Sequence, residues 1–404
     1  PTYNEMSYIV ESDQTAQSNF RIKVEVGIAH ALIGNGTLVY TGYFIPRPDT
    51  IEIIFDAQRI VENYIKQTLI DDFISETYGV VGHGVAGGVG AANQGHDIVS
   101  TRVTFTEQYG SPRADQATTT VSAFAFNSSL KYSDFIDYDY TSYPLVLNNS
   151  TKLFLTNMPN NTNIGSSESL QLSWLQGDDN GVDVVSEHIE IKVYTIASVL
   201  QKTVTIVTGS VDSLGLDYTD FFRSMLLGTK DIEASTLLSG TKPVFDTASA
   251  YYTVQSIDSD TNPSSELRTF TIKPTCDSPY RVFWLNRLGG IDSFTFEKKH
   301  INTVEVQRDR VNRVGSSSAE GIRTYNVTST DKIKLVSDWL NNDESIWLED
   351  LITSSEIWIY KNSKYQSILI DNHNTYQVKT QGQDGTFNLE LDVSFAYKSN
   401  SQRA

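Results

Sequence analysis

Apolar and polar residues alternate along several stretches of this chain, and that period-2 pattern dominates its sequence. Phe20, Ile22, Val24 and Val26 alternate with Arg21, Lys23 and Glu25. Phe387, Leu389, Leu391, Val393 and Phe395 alternate with Asn388, Glu390, Asp392 and Ser394, and Val304 and Val306 alternate with Glu305 and Gln307. Successive side chains of a strand point to opposite faces, so each stretch predicts a strand with one buried face. Gly34-Asn35-Gly36 predicts a turn, with Leu38 to Phe44 as the return strand. Residues 100–106, 170–175, 189–194, 203–207 and 251–257 predict further strands.

Helical periodicity is rare. Asp56 can cap a helix whose apolar stripe is Ile60, Val61, Tyr64, Ile65 and Leu69. Asp343 can cap a shorter one through Ile346, Trp347, Leu348, Leu351 and Ile352, with Asp343 and Glu344 favoured by the dipole of its first turn. The rest reads as short strands divided by Gly, Asn, Asp and Ser clusters. The expected fold is therefore mainly β: two or three β-sandwich or barrel-like domains with a few short helices. Polar connections suggest an N-terminal domain over 1–155, a middle sandwich over 156–275 and a C-terminal domain over 276–404. The first carries the helix at about 56–70 and a glycine-rich loop at 79–97, and the last the helix at about 343–353.

Composition sharpens this picture in three ways. Aromatic residues reach 11% of the 404 residues, with 21 Tyr and 18 Phe, which suits strands. The net charge is −18, and the only basic cluster, Lys298-Lys299 with Arg308, Arg310 and Arg313, is interrupted by Glu and Asp. A surface that tracks phosphates needs clustered cations, so direct nucleic-acid binding is not expected. The single cysteine, Cys276, excludes an intrachain disulfide. The opening PTYNEMSYIV has neither a basic nor an apolar leader region, and no run approaches 18 apolar residues, so neither a secretory signal nor a membrane span is expected.

The glycine-rich stretch contains Gly82-His83-Gly84-Val85-Ala86-Gly87, which fits G-x-G-x-x-G. A dinucleotide site needs a strand before those glycines and a helix after them. Only Val80 and Val81 precede the motif, and Gly88 to Gly95 cannot start a sound helix, so no cofactor is expected and a surface loop is. Residues 176–187 carry Asp178, Asn180, Gly181 and Glu187 at calcium-loop positions, but Gln176 is a poor first ligand and a hairpin turn explains Asp-Asn-Gly more simply. Asp258, Asp260 and Asn262 read as a strand-to-linker junction. Asp134, Asp137 and Asp139 among Tyr132, Phe135, Tyr138, Tyr140 and Tyr143 read as an amphipathic strand, with a sugar-binding surface as the alternative. No H-E-x-x-H, G-x-S-x-G or Walker motif occurs, and the expectation is a protein that is not an enzyme.

The most distinctive stretch is Cys276 to Lys299, CDSPYRVFWLNRLGGIDSFTFEKK, two strands around Arg287-Leu288-Gly289-Gly290. Both its faces are apolar, so the hairpin lies either centrally in a domain or half-covered by a neighbouring subunit. With NFRIKVEV, FIPRP, FDAQRIVENYI, KLFLTNMPN, SDWLNNDESIWLEDLITSSEIWIY and YQSILIDNHNTYQVKT, in this order, it resembles tail or baseplate structural proteins of tailed phages and prophages of Bacteroidota bacteria. The likeness covers most of the chain except roughly residues 200–250.

The resemblance implies a virion protein, made in the host cytoplasm, that assembles in a symmetric ring with copies of itself and with other tail proteins. It supplies no active-site residue. Candidate subunit contacts are Gly82, His83, Gly87 and Gly90 of the loop, Trp284 and Leu288 of the hairpin and Trp347 of the C-terminal helix. A carbohydrate- or receptor-binding module at the tail tip is the alternative, with Tyr138 as its test residue, and a hydrolase on a β-scaffold is a third.

Overall fold

The computed structural model describes residues 2–29, 37–46, 51–65, 81–83, 98–145, 149–175, 188–207, 222–235, 238–258, 261–274, 279–313, 321–361, 364–372 and 388–400. The protein is mainly β, with several multi-strand sheets, a few short helices and no closed barrel among the described residues. It divides into two compact units, and neither is continuous in sequence. The first comprises Pro1–Asn157, Ser169–Thr271 and Asn286–Gly290; the second comprises Met158–Glu168, Ile272–Leu285 and Ile291–Ala404. The sequence instead suggests three consecutive segments.

Within the first unit, the strands Thr37–Phe44, Arg21–Ala29, Ile98–Tyr109 and Ala114–Phe126 form an antiparallel sheet in that order. Ser7–Glu11 pairs with Glu52–Asp56 as a two-stranded sheet. The inner faces meet: Ile22, Val24, Val26, Val103 and Phe105 pack in one core with Ile53, Phe55, Tyr8 and Val10. The alternation around Phe20 predicts this face correctly. A three-stranded sheet of Val81–His83, Phe222–Leu226 and Gln171–Leu175 follows, then Leu238–Ser239, Leu200–Val207, His188–Thr195, Ser249–Ile257 and Arg268–Lys273 side by side.

The expected helix at 56–70 is a single turn, Gln58–Val61, continued by a 3-10 turn at Glu62–Tyr64. At Ile65 the backbone is already extended (φ −104°, ψ 131°). Val61 and Ile65 do reach the core, but Tyr64 stays exposed, so the stripe is not one continuous helical face. The Asp56 carboxylate caps the turn from one position further out, accepting from the Gln58 and Met6 amides. Leu69 lies outside the described residues. Residues 132–143 form a helix, Tyr132–Ile136, and a 3-10 turn, Tyr140–Ser142, rather than a strand. There Asp139 serves the turn, accepting from the Thr141 amide and hydroxyl.

A second short helix, Thr229–Ala234, is held by the buried Asp231. Its Oδ1 accepts from Ser169 Oγ (2.8 Å), and its Oδ2 accepts from the Leu170 and Gly228 amides (3.1 and 3.0 Å). Burial raises this carboxyl above the ordinary value, against the pull of those three donors. Between the unfolded and folded values, the folded chain therefore holds a proton that the unfolded chain has lost. Stability should fall as pH climbs from the ordinary carboxylate value towards the folded one, then level off. Asp231→Asn should remove that part of the slope; urea unfolding of both proteins across pH checks it, and identical profiles would count against it.

In the second unit, Ile291–Phe296, Tyr280–Leu285, Ile357–Lys361, Lys364–Ile370, Glu390–Phe395, Gly321–Val336 and Ile301–Arg313 form one sheet in that order, with Ser399–Asn400 added beside Gly321–Val336. Leu389, Leu391 and Val393 are buried as their alternation predicts. The helix Asn342–Thr353 is capped two positions earlier than expected, by Asn341 and not Asp343. Asn341 Oδ1 accepts from the Glu344 amide (2.8 Å), and Glu344 Oε2 accepts from the Asn341 amide (2.9 Å). This reciprocal pair satisfies two donors that a helix start leaves open.

Candidate assembly surface

The longest strands of the second unit build its most exposed feature. Ile301–Arg313 pairs antiparallel with Gly321–Val336, from Ile301 opposite Lys334 to Arg313 opposite Gly321. Among the described residues, the second strand is paired on its other side only at its inner end. There Lys332 to Val336 pair with Glu390–Phe395, and Thr328 and Ser329 pair with Ser399–Asn400. Lys332 fastens the base, donating to Glu305 (2.6 Å) and Asp371 (3.1 Å), and these bonds raise its pKa. Beyond Thr328 the two strands continue as a free ribbon, and Ile301–Arg313 ends the sheet with an open edge among the described residues. Six residues, Arg308 to Arg313, span roughly 20 Å at strand rise.

The ribbon is not polar enough to be idle in water. Val304 is 59% exposed and Ile322 is 74% exposed, and Val306, Val311 and Tyr325 are exposed too. A two-stranded hairpin without a packed face is at best marginally stable alone. An unpaired edge with exposed apolar residues is a template for added strands. Glu305, Arg308, Asp309 and Arg310 place charges along this edge, and charged edge residues are the usual guard against indiscriminate pairing.

The contacts expected from sequence lie elsewhere. Gly82 and His83 belong to the strand Val81–His83, paired with Phe222, Arg223 and Ser224, so the glycine-rich motif begins inside a sheet. A loop deletion starting at Gly82 would therefore remove sheet pairing as well. Gly87 and Gly90 lie outside the described residues, as do Asp178, Asn180 and Glu187. Trp284, Leu288 and Trp347 are buried within the chain, where they offer no surface to another subunit. Trp284 lies in a strand paired on both sides, with its hairpin partner Ile291–Phe296 and with Ile357–Lys361, and its ring centroid lies 5.2 Å from that of Trp347. The strand Tyr280–Leu285 is thus covered on both faces, while its hairpin partner Ile291–Phe296 is the last strand of the sheet among the described residues.

Trp347 also donates from Nε1 to the buried Asp292 Oδ2 at 2.7 Å. Trp347→Phe removes that donor while keeping most of the ring volume. Its expected cost is about 2 kcal/mol, read as a lower denaturation midpoint at unchanged slope.

Tyr138 does not stand ready for a sugar. It stacks on Tyr143 at 5.5 Å and packs against the Phe126, Leu155, Leu175 and Leu288 core. Asp258 serves a turn, its two carboxylate oxygens accepting from the Asn262 amide and side chain. No group of three or more His, Cys, Asp or Glu among the described residues is arranged to hold a metal ion. No described helix is long and apolar enough to cross a membrane. No protein-family model matches the chain, and no curated protein matches it.

The alternation at Val304 and Val306 predicts a strand but not the exposed ribbon that it belongs to. The available signal was that Arg308 continues the same strand face where an ordinary sheet strand would place its next apolar residue.

Proposed function

We propose that this protein is a structural component of a phage tail, a ring, hub or baseplate part that associates with copies of itself and with other tail proteins. The observation that carries the reading is the free ribbon of Ile301–Arg313 and Gly321–Val336, with its open edge and exposed Val304, Val306 and Ile322. An arm of this kind gains its missing partners when it docks on another subunit. The resemblance of the Cys276 to Lys299 hairpin and its companion segments to Bacteroidota tail proteins supports the same role. So does the strong negative charge, which keeps a chain with exposed strand edges dispersed until it meets its partner. The role is assembly rather than catalysis, and its place is the virion.

The test is microscopy. Negatively stained purified protein should give particles with rotational symmetry, and antibodies against it should label one position along the tails of phage particles whose genome encodes it. A chain absent from such particles would overturn the reading.

A further inference from the structure

Two unpartnered sheet faces of this chain are complementary in shape class and in charge. The first is one face of the ribbon. Strand alternation places Val304, Val306 and Arg308 in a row on it, opposite Asp331, Ser329 and Val327, and Arg310 follows after a register shift between Asp309 and Arg310. Arg308 and Arg310 are exposed, and neither has an ion-pair partner among the described residues. Residues 306–328 hold four arginines against Asp309 and Glu320, a net of +2; the chain totals −18, so the rest of it sums to −20. The ribbon is thus a cationic arm on an anionic protein.

The second is the outer face of the two-stranded sheet Ser7–Glu11 and Glu52–Asp56. Its register sets Ile9 opposite Ile54 and Glu11 opposite Glu52. The neighbours Tyr8, Val10, Ile53 and Phe55 turn inward to the core, so these residues turn outward. Ile9 is 64% exposed and Ile54 is 47% exposed. Two like charges directly opposite on a strand pair are destabilising. Among the described residues, neither glutamate is ion-paired. This face lacks two things: an apolar cover for the isoleucines and cations for the glutamates. The ribbon face presents both, in adjoining positions along one strand.

We infer that the ribbon of one copy docks on the Ile9–Ile54 face of a second copy, with Val304 and Val306 over the isoleucines and Arg308 and Arg310 towards Glu11 and Glu52. The two faces differ, so the contact is head-to-tail. Every copy keeps one free ribbon or one free acidic face until the assembly closes as a ring or grows as a filament. The inference deepens the proposed tail role, on which it rests for the ring that would close.

Sedimentation velocity of the full chain over a range of concentrations tests it. The wild type should self-associate, and more weakly as salt rises, because exposed charge pairs are screened. Arg308→Glu with Arg310→Glu should weaken association by roughly tenfold or more, with the melting temperature unchanged because both side chains are exposed. Glu11→Arg with Glu52→Arg should do the same, and combining all four substitutions should restore association to within roughly threefold of the wild type. A wild type that stays monomeric throughout, a double variant that associates as tightly as the wild type, or a quadruple variant without rescue would each overturn the docking. The two readings separate cleanly. Tail labelling with charge-independent association keeps the tail role and removes the docking; charge-dependent association of a chain absent from tails does the reverse.

Discussion

Replacing Arg281 by methionine is expected to destabilise the second unit by about 3–5 kcal/mol, the largest effect of any single substitution considered. Arg281 and Glu168 are both buried, with Nη1 and Oε2 at 2.7 Å. The guanidinium also donates to Ser293 Oγ from Nε (3.1 Å) and Nη2 (2.8 Å), and to Thr295 Oγ1 from Nη1 (2.8 Å). Glu168 Oε2 accepts in turn from the Gly165 amide (2.9 Å) and Thr295 Oγ1 (2.7 Å). Methionine fills the space of the stem but leaves a buried carboxylate without its cation. That loss is much larger than the net contribution of the pair, because taking two charges out of water already offsets most of their attraction. The variant Arg281→Met with Glu168→Gln should therefore recover a good part of the stability. Denaturant midpoints followed by tryptophan emission check both, since Trp284, Trp339, Trp347 and Trp358 all belong to this unit. A single variant within about 1 kcal/mol of the wild type would refute the assignment.

Gly290→Ala is expected to lower the stability of the first unit by about 3 kcal/mol. A Cβ at Gly290 would overlap the carbonyl oxygen of Leu155, a backbone atom that cannot swing aside. That carbonyl already accepts from Asn286 Nδ2 at 2.9 Å. Asn286 Oδ1 accepts from the Leu288 and Gly290 amides at 3.0 and 2.9 Å, so one side chain ties the whole tip together. Leu288 then fills the small core formed with Phe126, Leu155 and Leu175. Its neighbour Gly289 has φ +87°, and a Cβ there would stand 2.6 Å from the Asn127 carbonyl oxygen. Both glycines are thus set by close approach of backbone to backbone. Thermal unfolding of Gly290→Ala beside Gly321→Ala separates overlap from backbone strain, since a Cβ at Gly321 meets nothing within 4 Å but sits at φ +119°, and Gly290→Ala should lose more. Equal losses in the two variants would show that steric overlap is not the cause.

Strands were legible wherever one face is buried and the other solvated. Ile22, Val24 and Val26 and the row Leu389, Leu391 and Val393 announce themselves by alternation because water meets only every second residue. The pairing of Ser7–Glu11 with Glu52–Asp56 was not legible. Its register joins residues more than forty positions apart, and SYIVE alone is too short to show a period. The Glu168–Arg281 pair was invisible for the same reason, with 113 residues between its partners. Helix periodicity misled at 56–70, since an apolar residue at the right spacing enters a core from an extended backbone as well as from a helix. The interface candidates Trp284 and Trp347 were chosen for being aromatic and apolar, and those properties serve a core as well as they serve a contact. What distinguishes the ribbon is the reverse combination of exposed valines followed by arginines.

The segment Asn286–Gly290 belongs to the first unit, although nearly all the rest of that unit precedes residue 272. Translation therefore delivers the first unit almost whole and then withholds its last piece. Until the ribosome has released Gly290, the Leu155 carbonyl lacks its Asn286 donor and the Phe126 core lacks Leu288. The nascent chain waits with a gap, and by the time the gap is filled the strand Tyr280–Leu285 of the second unit has already been made. The order of synthesis thus couples the closing of one unit to the opening of the next, and a gene fragment cut between the second and third sequence segments would encode a first unit that can never be finished.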